Sequence, residues 1–166
     1  CVQMIITCNT SELNKAIQTA QKAITSKPST PIFSCLHLIT SNGRLVIQGM
    51  DLNMAISCTI DANITEPGEI VVSAKHISEL VRKLSAETVT ISKNQENKTI
   101  KVASGSSEYQ LLLMNEDDYP KFPDFNGDKS ITIADDKIKE LIRKTIFSCS
   151  TDEARPLFTG ILVESK

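Results

Sequence analysis

The chain contains no tryptophan, and aromatic residues of all kinds make up only 4% of it. Its interior must therefore be aliphatic, built from Ile, Leu and Val. Five cysteines occur without a C-x-x-C, and only two histidines exist, His37 and His76, so no metal site is expected. Neither G-x-x-x-x-G-K-S/T nor G-x-S-x-G is present. His76 has no nucleophile placed beside it by sequence. The carboxylates of Glu116, Asp117 and Asp118 read as solvated charge. We therefore expect no enzyme, no catalytic residue and no cofactor. There is neither a signal peptide nor a run of apolar residues long enough to span a membrane, so no membrane partner is expected. The N-x-S/T triplets at Asn9, Asn63 and Asn97 then carry no expectation of glycosylation. Cys8, Cys35, Cys58 and Cys149 sit in apolar or strand-like surroundings and read as small buried hydrophobes, a usage that suits a reducing cytoplasm. The net charge is −2. Nothing global announces a nucleic-acid partner, although partners respond to local patches rather than to totals.

What is present is a repeat. Residues 70–84, IVVSAKHISELVRKL, read as a strand, a tight turn and an amphipathic helix. The same pattern lies 64 positions earlier in ITCNTSELNKAIQ and 61 positions later in ITIADDKIKELIRKT. Ile6, Ile70 and Ile131 coincide, as do Cys8, Val72 and Ile133. On the helix, Leu13, Ile77 and Ile138 coincide, then Ala16, Leu80 and Leu141, then Ile17, Val81 and Ile142. The last three sets are spaced i, i+3, i+4, the buried stripe of a helix. The strand sets are spaced by two, the buried face of a strand.

Between the copies the chain alternates apolar and polar residues. Strands are expected at residues 4–8, 36–40, 45–49 and 54–60, with a hairpin turn at Asn42-Gly43. The first helix is expected to be capped by Thr10 or Ser11 and to run to Thr25, followed by a loop fixed by Pro28 and Pro31. After the second copy, strands are expected at 88–92, 99–103 and 108–113. Each copy thus reads strand–helix–strand–strand–strand with short turns, so the strands should pair antiparallel. Residues 115–129, NEDDYPKFPDFNGDK, break the pattern and read as a linker. A third unit restarts at Ser130 as strand, helix and one strand at 159–163, without the partners needed to close a core. Residues 1–3 read as a cloning remnant, and the chain as a fragment. Its uncovered edges, at 108–113 and in the third unit, are expected to promote self-association.

These segments carry a resemblance. Residues 28–33 (PSTPIF), 49–54 (GMDLNM), 72–84, 118–123 (DYPKFP) and 147–164 (FSCSTDEARPLFTGILVE) are similar, in order, to segments of the bacterial DNA polymerase III beta subunits, the sliding clamps. The resemblance implies an α+β DNA-clamp fold: repeated β-α-β-β-β units with antiparallel sheets outside and helices on the DNA-facing side. It implies a first clamp domain at 4–119, a linker at 120–129 and an incomplete second domain at 130–166. It further implies a processivity factor of the replicative polymerase, a head-to-tail homodimer ring around double-stranded DNA. The DNA polymerase III alpha subunit and the clamp loader would be its partners in the full-length protein. A small α+β adaptor that binds a protein by strand addition is the competing class.

The charge pattern agrees with a DNA-facing helix layer. The three helical stretches sum to +4, whereas the remainder of the chain sums to −6. Such a layer attracts phosphates without reading sequence. By the resemblance, Lys27, Lys75 and Arg82 are the DNA-binding positions. Tyr109 and Leu111 match the apolar positions of the dimer interface, and Phe158 matches one wall of the partner-peptide pocket. Around Phe158 the chain departs from the pattern, with Asp152, Pro156 and Leu157 where other clamps carry polar and aromatic residues, so no DNA contact is expected there. Arg155 reads as half of a structural ion pair.

Overall fold

The structure is a computed structural model that describes residues 4–25, 27, 30–124, 127 and 129–164. Cys1-Val2-Gln3, and Pro28 of the proline loop, lie outside the described residues. The chain divides into two compact units, Cys1–Pro123 and Asp124–Lys166.

The first unit realises the repeat twice. The first copy is β1 (Ile5–Asn9), α1 (Thr10–Gln21), β2 (Cys35–Ser41), β3 (Arg44–Met50) and β4 (Ala55–Glu66). The second is β5 (Glu69–Ser73), α2 (Ala74–Arg82), β6 (Thr88–Asn94), β7 (Thr99–Ser104) and β8 (Ser107–Met114). Every pairing is antiparallel, and the strands close in the order β1-β4-β3-β2-β5-β8-β7-β6 and back to β1. That order maps onto itself when the copies are exchanged. The register follows: Leu38 faces Ile47 and Leu45 faces Ile60 in the first copy, while Ile91 faces Val102 and Ile100 faces Leu111 in the second. Asn42 (φ 51°) and Gly43 (φ 74°) form the β2–β3 turn. Both have positive φ, as a two-residue hairpin of this kind demands.

One aliphatic core fills the unit. It gathers Ile6, Leu36, Leu38, Leu45 and Ile47 from the first copy's strands, Ile70, Val72, Ile91, Ile100 and Val102 from the second's, and Leu13, Ile17, Ile77 and Val81 from the helices. The helices lie side by side, with Gln18 Nε2 donating to Ser78 Oγ at 3.0 Å. Gly49 lets β3 approach α1, since a Cβ there would stand 2.3 Å from the Ala20 carbonyl oxygen.

Two local readings are corrected. The N-cap of α1 is Asn9, whose side chain accepts from the Glu12 N–H at 3.0 Å, rather than Thr10 or Ser11. The helix starts without a loop because the Thr10 N–H is held by the Glu87 carbonyl at 2.8 Å. Ser73, the counterpart of Asn9 in the second copy, caps α2 in the same way. α1 also ends at Gln21, short of Thr25, with the chain going on through single turns.

The first unit runs through Pro123, past the boundary at residue 119 read from the sequence. After β8 the chain makes a short 3-10 turn, Glu116–Asp118, and then lies on the barrel. Tyr119 is buried in a second cluster with Ile32, Cys35, Met50 and Val71, against which Phe122 also packs. Its ring sits 4.9 Å from that of His37, and its hydroxyl donates to the Gln48 carbonyl at 3.4 Å. Burial pushes the Tyr119 phenol up to about 12. Glu116 is ion-paired with Lys93. Burial alone would raise the Glu116 carboxyl, but the Lys93 hydrogen bond and charge hold it below the usual carboxylate range.

The second unit holds α3 (Asp135–Thr145) and two short 3-10 turns, Ile146–Ser148 and Pro156–Thr159. The strands read at 131–133 and 159–163 do not form among the described residues, because a strand exists only by pairing and neither stretch has a ladder partner. The place of Asn9 and Ser73 is taken here by Ala134, which offers no side-chain cap; Asp135 and Asp136 in the first turn favour the helix N-terminus by charge instead. The helix stripe is present but uncovered: Ile138, Leu141 and Ile142 line a groove with Ile131, Ile133 and Ile161. Arg155 makes no ion pair among the described residues. The expected structural pair is therefore absent there, and the turn is held instead by Arg155 N–H donating to the Asp152 carbonyl and Phe158 N–H to the Arg155 carbonyl.

Two outcomes follow from this packing. Ile77→Ala should lower the stability of the first unit by about 2–5 kcal/mol in chemical denaturation, whereas Leu141→Ala should leave that transition unmoved. Glu116→Gln should cost up to about 1 kcal/mol at pH 7. A depressed carboxyl stabilises the fold above its ordinary value of 4.5 and ceases to do so as pH falls through the lower folded value. The difference between the two proteins should therefore shrink below pH 4.5 in a denaturation series.

Candidate nucleic-acid interface

The site is built from the outer faces of α1 and α2. Burying Leu13, Ile17, Ile77 and Val81 fixes the rotation of each helix about its axis. What remains outward on α1 is Ser11, Glu12, Lys15 and Thr19, with Lys22 just beyond its end. On α2 it is Lys75, His76, Glu79 and Arg82, followed by Lys83.

The ion pairs divide the cations into two groups. Arg44 pairs with Asp61 at 3.0 Å, Lys101 with Glu108 at 3.2 Å, and Lys93 with Glu116, all on or between strands or at the strand-to-turn junction. Among the described residues, Lys15, Lys22, Lys75, Arg82 and Lys83 on the helices make none. Their charge is therefore not neutralised locally and faces solvent. Lys27 is exposed in the loop after α1 and likewise makes no ion pair among the described residues. Lys75 stands in the first turn of α2 and Arg82 in its last, so the helix holds both cations on one rigid body. Lys15 and Lys22, which are not among the positions the resemblance implies, share this exposure, and the helical period alone places them off the buried stripe.

The other candidates lie elsewhere. Tyr109 and Leu111 are on β8 and point to the same face. Tyr109 is 43% exposed, whereas Leu111 turns onto the unit's own core. Leu112, which the sequence reading did not single out, is 78% exposed on the opposite face. β8 pairs with β7 from Ser107 to Leu112 but with β5 only at Leu113 and Met114, so the other edge of residues 107–112 is open. The open edge is thus displaced by one residue from the 108–113 expected from sequence, because Leu113 is paired with Val72. Phe158 lies in the second unit, 62% exposed, in a tight turn where its carbonyl accepts from the Ser150 N–H at 2.7 Å.

A closed antiparallel ladder made of two β-α-β-β-β copies, with paired helices presenting unneutralised cations, defines a clamp-type domain. Residues 4–123 match the DNA polymerase III beta subunit, N-terminal domain family. The chain belongs to that family. It is 32% identical over 166 residues to the beta sliding clamp of Bacillus subtilis, covering 95% of this chain and 44% of that protein. The crystal structure of the Bacillus subtilis DNA polymerase sliding clamp superposes with a TM-score of 0.88 at 31% identity, over 93% of this chain and 43% of that one. The sliding clamp of Caulobacter crescentus superposes with a TM-score of 0.83 at 28% identity, over 90% of this chain and 41% of that one. The chain therefore spans less than half the length of these relatives.

Because Lys75 and Arg82 make no ion pair among the described residues, removing either should spare the fold. Lys75→Ala and Arg82→Ala should each change unfolding stability by no more than about 0.5 kcal/mol. Thermal denaturation of both variants checks this and separates any loss of binding from loss of structure.

Proposed function

We propose that this chain is part of a processivity factor of the replicative DNA polymerase, a ring that encircles duplex DNA and tethers the polymerase. The observation that carries the reading is the layer of exposed, unneutralised cations on two adjacent helices of a clamp-type domain. In it, Lys27, Lys75 and Arg82 contact phosphates, directly or through water, and read no sequence. The contacts are few and electrostatic, so retention on DNA comes from closure of the ring and allows sliding. No step of this function breaks or makes a covalent bond, and the chain acts as a bound platform rather than an enzyme.

In this reading the first domain of the clamp runs from residue 4 through Pro123, 124–129 are the connection, and 130–166 belong to a second domain. Two copies of the full-length protein form the ring, and the open edge of β8, with Tyr109 and Leu111, meets the partner copy. Strand addition is the physical mode, since unpaired N–H and C=O groups along residues 107–112 are ready to extend a sheet. Phe158 contributes one wall of a pocket for short hydrophobic motifs of the polymerase and the clamp loader. The setting is the bacterial cytoplasm, where replication takes place. No helix among the described residues is long and apolar enough to cross a membrane.

The salt dependence of duplex binding by the full-length protein tests the charge layer. Changing Lys27, Lys75 and Arg82 together to Ala should reduce the slope of log affinity against log salt by up to about three. An unchanged slope rules them out as phosphate contacts. Retention on nicked circular plasmid, with loss from the same plasmid once linearised, tests ring closure independently.

A further inference from the structure

The duplication of the first unit supplies an internal comparison. In the first copy, β1 and β4 zip through four register pairs: Ile5↔Glu66, Ile6↔Ile64, Thr7↔Asn63 and Cys8↔Ala62. Their counterparts β5 and β8 share two, Val71↔Met114 and Val72↔Leu113. Glu69 and Ile70 occupy the places of Ile5 and Ile6, yet no strand faces them on that side. Where β4 continues to Glu66, the chain after Met114 turns away into Glu116–Asp118.

Side chains replace the missing ladder. Lys93, on β6, donates from Nζ to the Glu69 backbone carbonyl at 3.2 Å and is ion-paired with the Glu116 carboxylate. The Glu69 carboxylate is 2.7 Å from His37 Nε2, and the His37 ring lies against Tyr119. One ammonium thus ties β5 and β6 to the departing turn, and the Tyr119 ring holds that turn down. The charged groups around Glu116 are Lys93 on β6, His37 on β2, Lys98 in the β6–β7 turn, and Asp117 and Asp118 on its own turn.

We propose that the β5–β8 seam is where the first unit opens, and that the Lys93–Glu116 pair is its latch. Two strand pairs, the Lys93 contacts and the docked Tyr119 ring close it, against four strand pairs at the equivalent seam. Releasing the latch frees residues 113–118, up to the buried Tyr119, while β7 keeps the rest of β8 in place. The inference stands on the geometry of the first unit and does not depend on the DNA-binding reading. Since the latch needs an ionised carboxylate, acid loosens it; the depressed Glu116 carboxyl extends the closed state to lower pH.

Hydrogen exchange read by mass spectrometry on the full chain reports both seams in one sample. At pH 7, residues 69–73 and 111–116 should exchange at least about tenfold faster than their counterparts 5–9 and 60–65. Glu116→Gln should speed exchange at 111–116 by up to about a further fivefold, leaving 60–65 unchanged. Lys93→Met should do at least as much, since it also removes the bond to the Glu69 carbonyl, and the double variant should go no further than Lys93→Met alone, because the Glu116 pair is already gone there. Equal exchange at the two seams of the unaltered chain overturns the proposal. So does an acceleration by Glu116→Gln that is shared equally by both seams. The comparison within the unaltered chain decides the matter even where a variant does not fold.

Discussion

Closure of the antiparallel ladder is the constraint on which the rest of the first unit depends. Eight strands return to the first one with every pairing antiparallel. In such a ladder a slip of one residue would carry a strand's apolar set from the inner face to the outer one. The register pairs that place Leu38 opposite Ile47 and Ile91 opposite Val102 avoid this in both copies. Those inner residues and the buried stripes of the two helices form a single core. A core without tryptophan and nearly without aromatics must be packed from branched aliphatic residues, and these suit the pleated inner surface of strands.

The same closure sorts the charges. Side chains on neighbouring strands stand within reach of one another, and the strand cations Arg44 and Lys101 find carboxylates there at 3.0 and 3.2 Å. The cations of α1 and α2 face solvent and, among the described residues, remain without an ion pair. A chain with a net charge of −2 can thus present a positive layer. Long-range attraction for phosphate depends on this local arrangement rather than on the total.

The second unit shows what the repeat does without a ladder. α3 forms with its own acidic first turn, but its apolar stripe remains exposed and the stretches flanking it do not become strands. Helical hydrogen bonds close within the segment, whereas strand hydrogen bonds need a second segment. The two units therefore share a pattern in sequence and differ in how much of it is expressed.

The sequence by itself determined the duplicated order of elements, the Asn42-Gly43 turn and the residues of the buried stripes, because these follow from local periodicity and backbone preference. It also placed Lys75 and Arg82 on the side of α2 away from the core. The cap at Asn9 was legible only through its alignment with Ser73, since Thr10 and Ser11 are equally good caps by residue type. Three features were decided by tertiary structure alone. Leu111 turns onto the unit's own core while Leu112 faces out, which depends on the register of β8 against β7. Tyr119 and Phe122 fold back on the barrel although their surroundings in sequence have the composition of a linker. The pairing of Lys93 with Glu116 brings together residues from separate elements at a seam whose shortness no periodicity reveals. In each case the deciding contact is long-range, so its energy appears only once the ladder has brought distant segments together.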